Sequence, residues 1–78
     1  MADELFGRFQ KTAAESLSKP VEAITLDASF ADDLDADSLD LVQLVMDLEE
    51  EFDVSVDEDE LEGVTTISQA YELIKGKL

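Results

Sequence analysis

Ser38-Leu39-Asp40-Leu41-Val42-Gln43-Leu44-Val45-Met46-Asp47-Leu48-Glu49-Glu50-Glu51-Phe52, entered through Asp37, is the stretch on which the reading of this chain turns. At about 100° per residue, a helix here puts Leu41, Val45, Leu48 and Phe52 on one line with Leu44 beside it, and this is a core face. Leu39, Val42 and Met46 fall on a second line, roughly opposite, bordered by Gln43, Asp47, Glu49, Glu50 and Asp53. A helix that serves one core has no packing use for that second stripe. It reads either as scattered surface apolars, normal on any protein, or as a small docking surface with an acidic rim. The Glu49-Glu50-Glu51 run on its own is an ordinary solvated face.

The flanking sequence predicts two more main helices and a short one. From Asp3 to about Ser18, Leu5, Phe6, Phe9, Ala13 and Leu17 recur at three and four, the mark of an amphipathic helix with Asp3 as its N-cap. Ser18-Lys19-Pro20 ends it, because the residue before proline is pushed out of helical geometry. Residues 19–37 lack a sustained helical period, yet Val21, Ile24, Leu26, Phe30 and Leu34 are too apolar for a solvated linker. They predict an ordered connection laid across the core, anchored by Phe30 and Leu34, with a short helical turn near Pro20–Ala23. Asp57 to Leu61 forms a short helix capped by Ser55 or Asp57 and ended at Gly63, after an extended link through Asp53-Val54-Ser55-Val56. Thr66-Ile67-Ser68-Gln69 has the capping-box form and opens a last helix with Ile67, Ala70, Tyr71 and Ile74 on one face, closed by Gly76. The expected fold is all-α. It is a compact antiparallel four-helix bundle, three main helices plus one short, with a long ordered loop between the first two, in one domain over residues 1–78.

Charge and composition narrow the function. Five basic residues face 21 Asp and Glu, for a formal net charge of −16, which repels nucleic acid phosphates and anionic membrane surfaces and calls for partners with basic patches. The 45% apolar content and its periodicity argue against disorder. A core of this size supplies only about 3–5 kcal/mol of net stability, so self-repulsion at low salt weighs heavily. With no cysteine there is neither a disulfide framework nor a thiolate zinc site, and the chain leans toward the cytoplasm. No apolar run reaches membrane-spanning length and Met1-Ala2-Asp3-Glu4 carries no address, so a soluble monomer without membrane insertion is expected.

Ser38 is the residue of interest. A nucleophilic serine needs a base within hydrogen-bond reach, and the chain has no histidine and no lysine near Ser38 in sequence, so it is not expected to be an enzyme. The first turn of a helix, with unpaired N–H groups and the positive end of the dipole, suits a covalent phosphoester. The commoner use of such a position is a helix cap, from Ser38 or from Asp37, and on the residues alone the cap is the favoured reading. Asp33-Leu34-Asp35-Ala36-Asp37 copies the opening of a calcium loop, but Ser38 and Leu44 stand where the turn glycine and the bidentate glutamate belong. No metal site is expected there beyond loose cation binding by clustered carboxylates.

Phe30-Ala31-Asp32-Asp33-Leu34-Asp35-Ala36-Asp37-Ser38-Leu39-Asp40, followed by Leu48-Glu49-Glu50-Glu51-Phe52, resembles the acyl carrier proteins of dissociated (type II) fatty acid synthesis. The likeness spans essentially the whole chain, including the Thr65-Thr66 start of the last helix. It implies that Ser38 carries a 4′-phosphopantetheine arm installed from coenzyme A by a phosphopantetheinyl transferase, with acyl intermediates of fatty acid biosynthesis held as thioesters on its thiol. The resemblance further implies that Asp37, Leu39, Asp40, Val42, Met46, Glu49 and Glu50 meet the basic docking patches of fatty acid synthesis enzymes. It also implies that Phe30, Leu44, Val45, Leu48, Val56, Leu61, Val64, Ala70 and Leu73 line a pocket for acyl chains. Two positions depart from the family pattern: Asp35 replaces a frequent glycine before Ser38, and Gln43 replaces a frequent acid on the recognition helix.

Overall fold

Apolar residues spaced at three and four close into helices wherever a cap can start them. A computed structural model of the chain describes residues 2–78, with side chains from Glu4 onward. The helices are α1 (Ala2–Leu17), α2 (Ser38–Phe52), α3 (Glu58–Leu61) and α4 (Ile67–Lys77), and a 3-10 turn over Val21–Ala23 lies in the long connection between α1 and α2. The all-α architecture expected from the periodicity is the one observed.

One core joins them. Phe9 and Ala13 of α1, Leu44 and Leu48 of α2, and Ile67, Ala70 and Ile74 of α4 pack together with Ile24, Ala28, Phe30 and Leu34 of the connection. Phe6, Phe9 and Tyr71 add edge-to-face aromatic contacts, with Tyr71 centred 5.0 Å from Phe6 and 5.4 Å from Phe9, which weld α1 to α4. Arg8 ties α1 to the end of α2. Its Nη2 donates to Glu51 Oε2 at 2.8 Å and to the Glu51 carbonyl at 2.9 Å, while the guanidinium lies 4.8 Å over the Phe52 ring. A cation on the last carbonyls of a helix also meets the negative end of its dipole.

The long connection is held by its backbone as much as by its apolar anchors. Gln10 Nε2 donates to the carbonyls of Val21 and Ile24, at 3.1 and 2.7 Å. Ser29 and Thr66 form an antiparallel bridge, with Phe30 N–H donating to Thr65 O at 3.0 Å and Ile67 N–H to Ala28 O at 2.9 Å. This stapling of loop to the start of α4 had no signal in local periodicity. Phe30 and Leu34 are buried as anchors, Ile24 joins them, and Val21 and Leu26 stay exposed.

Two boundaries differ from expectation, and a third is reached by other geometry. Asp3 falls inside α1 rather than before it, and its side chain lies outside the described residues. α3 ends just before Gly63, as expected, but not through a left-handed glycine: among the described residues no glycine has positive φ, and Glu62 leaves the helix in right-handed geometry while Val64 N–H returns to Leu61 O. Gly76 lies within α4, which continues to Lys77, whose ammonium is held by Glu60 and so keeps the last turn wound. The left-handed caps are instead Ser18 (φ 56°) after α1 and Asp53 (φ 55°) after α2.

Candidate functional site

The turn into α2 decides what Ser38 is free to do. Asp37 takes the N-cap position with extended backbone, its Oδ1 accepting from Asp40 N–H at 3.0 Å while Asp40 Oδ2 accepts from Asp37 N–H at 3.2 Å. This reciprocal capping box is the strongest local way to start a helix, and it uses no atom of Ser38. Of the two cap candidates that the sequence left open, the structure selects Asp37. Ser38 then sits at the first helical position, exposed, and among the described residues its hydroxyl makes no hydrogen bond.

The approach to that turn is built around Asp35. Its φ of 52° is left-handed, a region that aspartate enters more readily than most residues, and it lets the chain reverse between buried Leu34 and buried Ala36. Ala36 N–H donates to Phe30 O at 2.6 Å, and Ser29 N–H and Asp33 Oδ2 close the preceding turn at 2.7 Å. Ser38 therefore opens a helix entered from a loop that Phe30, Leu34 and Ala36 fix in the core.

Two open pockets meet at Ser38. One, of about 320 Å³, is lined by Phe30, Ala31, Ala36, Leu41, Val64 and Thr65 among others, between the connection and the start of α4. The second, of about 250 Å³, is lined by Leu41, Val42, Glu58, Leu61 and Glu62, between α2 and α3. Leu41 belongs to both. Placed on the core line by the helical period, it is only half-buried, because it stands at the mouth that the pockets share.

Of the nine residues expected to line an acyl pocket, Phe30 and Val64 reach the first pocket and Leu61 the second. Leu44, Val45, Leu48 and Ala70 are buried, and Val56 and Leu73 are half-buried against the core. Ala31, Ala36 and Thr65 line the site without having been singled out. The 2.0 and 3.6 periods find faces of elements, whereas these residues reach Ser38 only through the loop staple.

Along α2 the second stripe is exposed as drawn: Leu39 at 78%, Met46 at 53% and Val42 at 40%. The acids beside it are unequally occupied. Asp37 and Asp40 share the capping box, whereas Glu49 Oε2 accepts the N–H of Val56 at 2.7 Å, tying α2 to the link before α3. Glu50 makes no hydrogen bond among the described residues and points its charge to solvent. Gln43, the departure on this helix, donates to Asp47 Oδ1 at 3.2 Å one turn on.

A phosphodiester on Ser38 fits these surroundings. With Asp40 N–H taken by the cap, the Ser38 and Leu39 N–H groups have no protein acceptor among the described residues and face the first turn, where the helix dipole favours an anion. No basic residue lines either pocket, and Asp37 and Asp40 flank the serine, so an anion there is driven outward rather than folded in. Among the described residues, no group of three or more acids is gathered to hold a metal ion, and no helix is long and apolar enough to cross a membrane.

Comparison with known proteins shows the family. Residues 8–74 match the family described as "Phosphopantetheine attachment site". An acyl carrier protein of Petrotoga mobilis is 47% identical over 76 residues, covering 97% of this chain and 89% of that protein. A carrier bearing a covalent 4′-phosphopantetheine, and not a catalyst, the chain belongs to the acyl carrier protein family.

Proposed function

We propose that this chain is a single carrier domain of fatty acid synthesis, holding growing acyl chains as thioesters on a 4′-phosphopantetheine arm esterified to Ser38. The observation that carries the reading is the capping box of Asp37 and Asp40, which starts α2 without Ser38 and leaves its hydroxyl exposed and unbonded. A phosphopantetheinyl transferase supplies the arm from coenzyme A. The Ser38 oxygen becomes the new ester oxygen on phosphorus, its proton goes to the transferase, and the nucleotide portion of coenzyme A leaves. The arm contributes the thiol that a cysteine-free chain lacks.

What the chain's own residues do is hold and present. Asp37, Asp40, Glu49 and Glu50 attract basic patches on synthesis enzymes, and Leu39, Val42 and Met46 give the apolar contact once the surfaces meet. Such contacts are weak, fast and weakened by salt, as a shuttle requires. Phe30, Leu41, Leu61 and Val64 offer apolar surface at the root of the arm for the first carbons of a chain that turns inward.

Incubation with coenzyme A and a transferase should add one arm per chain, read by mass, and Ser38→Ala should add none; a modified Ser38→Ala chain refutes the site. Elongation by purified fatty acid synthesis enzymes, set against polyketide, peptide and D-alanyl systems, tests the pathway. Transfer only to one of the latter would replace fatty acids as the cargo.

A further inference from the structure

The pocket between α2 and α3 has one wall of a different kind from the others. α3 is four residues long and contains no buried residue, so apolar burial does little to hold it. Leu61, its contribution to the pocket, is half-buried and stands outside the apolar cluster that joins α1, α2 and α4. Between the apolar anchors Val56 and Val64 that flank it, polar ties keep α3 itself in place. Glu60 closes a capping box at its start, Oε2 accepting Asp57 N–H at 2.9 Å. The same carboxylate accepts the Lys77 ammonium from the end of α4, at 3.1 Å on Oε1 and 3.0 Å on Oε2. Upstream, Glu49 holds Val56 N–H. Lys77 thus reaches α3 from the far side of the chain, and losing it leaves the core side chains as they are.

We propose that Lys77 is a positioning residue for α3: through Glu60 it sets how closely α3 closes on α2 beside Ser38, and so how well an acyl chain lodged there is shielded from water. This rests on the reading that Ser38 carries the acylated arm. A segment held by a few polar ties opens without global unfolding, and attack on a sheltered group proceeds in proportion to the open population. Removing a partly exposed ion pair raises that population by a small factor and does not change the chemistry of an unsheltered group.

The test uses the full-length chain loaded with the arm and then with an acetyl or an octanoyl group, and follows release by hydroxylamine, which takes the acyl group as hydroxamate and frees the arm's thiol. In the wild type, octanoyl should be released more slowly than acetyl. Lys77→Met, which keeps the apolar stem, and Glu60→Gln should each speed octanoyl release by about two- to fivefold with acetyl release unchanged. Lys77→Arg, still able to pair with Glu60, should retain the wild-type rate, and circular dichroism should show all variants folded. Unchanged octanoyl release in Lys77→Met, or equal acceleration of acetyl and octanoyl, overturns the role of Lys77. Equal rates for the two groups in the wild type overturn the sheltering pocket while leaving attachment intact. Absence of any arm on Ser38 is separate, seen by mass before hydroxylamine is added, and it overturns the carrier reading and the Lys77 role together.

Discussion

The two sides of α2 are built on different physics. Toward α1 and α4 it presents Leu44 and Leu48 to a continuous apolar cluster and is clamped by Arg8 over Phe52. Toward α3 it meets a four-residue helix without a buried side chain, positioned by Glu49, Glu60 and Lys77. The first side fixes where Ser38 stands. The second leaves the space beside Ser38 adjustable, because polar ties of half-exposed groups are individually small while buried apolar contacts are collectively large. Under the proposed function, Ser38 would be the fixed attachment point and α3 the wall that yields.

The largest expected effect lies on the apolar side. Leu44 is fully buried, and Leu44→Ala should cost about 2–5 kcal/mol, comparable to the whole stability expected of a core this small. Urea unfolding followed by circular dichroism should therefore find the variant largely unfolded at low salt. Leu39→Ala, at a residue 78% exposed, should stay within about 0.5 kcal/mol of wild type. Similar losses for the two would erase the distinction between the faces of α2.

An intermediate effect is expected at the turn before Ser38. Asp35 holds φ at 52°, so Asp35→Gly should relieve left-handed strain and stabilise the chain by up to about 1 kcal/mol, less the greater freedom of glycine in the unfolded chain. A lower melting temperature for Asp35→Gly would mean that the aspartate side chain, not backbone geometry, holds the turn.

The smallest effect is on the α3 side and depends on pH. The Asp57 N–H, and next the Lys77 ammonium, hold the Glu60 carboxyl below its ordinary value of 4.5. A carboxyl lowered in the folded state contributes stability above its unfolded pKa and loses it as pH falls through the folded one. The melting-temperature gap between wild type and Glu60→Gln should thus be present at neutral pH and shrink as the pH falls below 4.5 and through the lowered pKa, while relief of the −16 net charge acts on both alike. Amide exchange should quicken around Val56 to Val64 in that range before it does in α1. A gap that persists in strong acid would show that Glu60 acts by shape rather than charge.

Much of this was legible in the residues. The helical period of Leu41 to Phe52 separated the core line from the Leu39, Val42 and Met46 stripe, and Thr66 to Gln69 announced the box that starts α4, because both depend on neighbours within one or two turns. Other features were hidden. Ser38 and Asp37 are equivalent as caps on paper, and the choice falls to Asp37 through the side chain of Asp40 and the turn that Asp35 allows.

Local sequence, then, determined that this chain is helical, where its helices run, which face of α2 is spare, and that no residue of its own can activate Ser38, since periodicity, capping and residue inventory act over short range. Tertiary structure alone decided that Ser38 stands between two pockets. It also decided that Leu41 guards their mouth, that the long connection is stapled to Thr65 and Thr66, and that Lys77 reaches back to Glu60. Those pairings join residues far apart in the chain, and only closure of the common core brings them within hydrogen-bond distance.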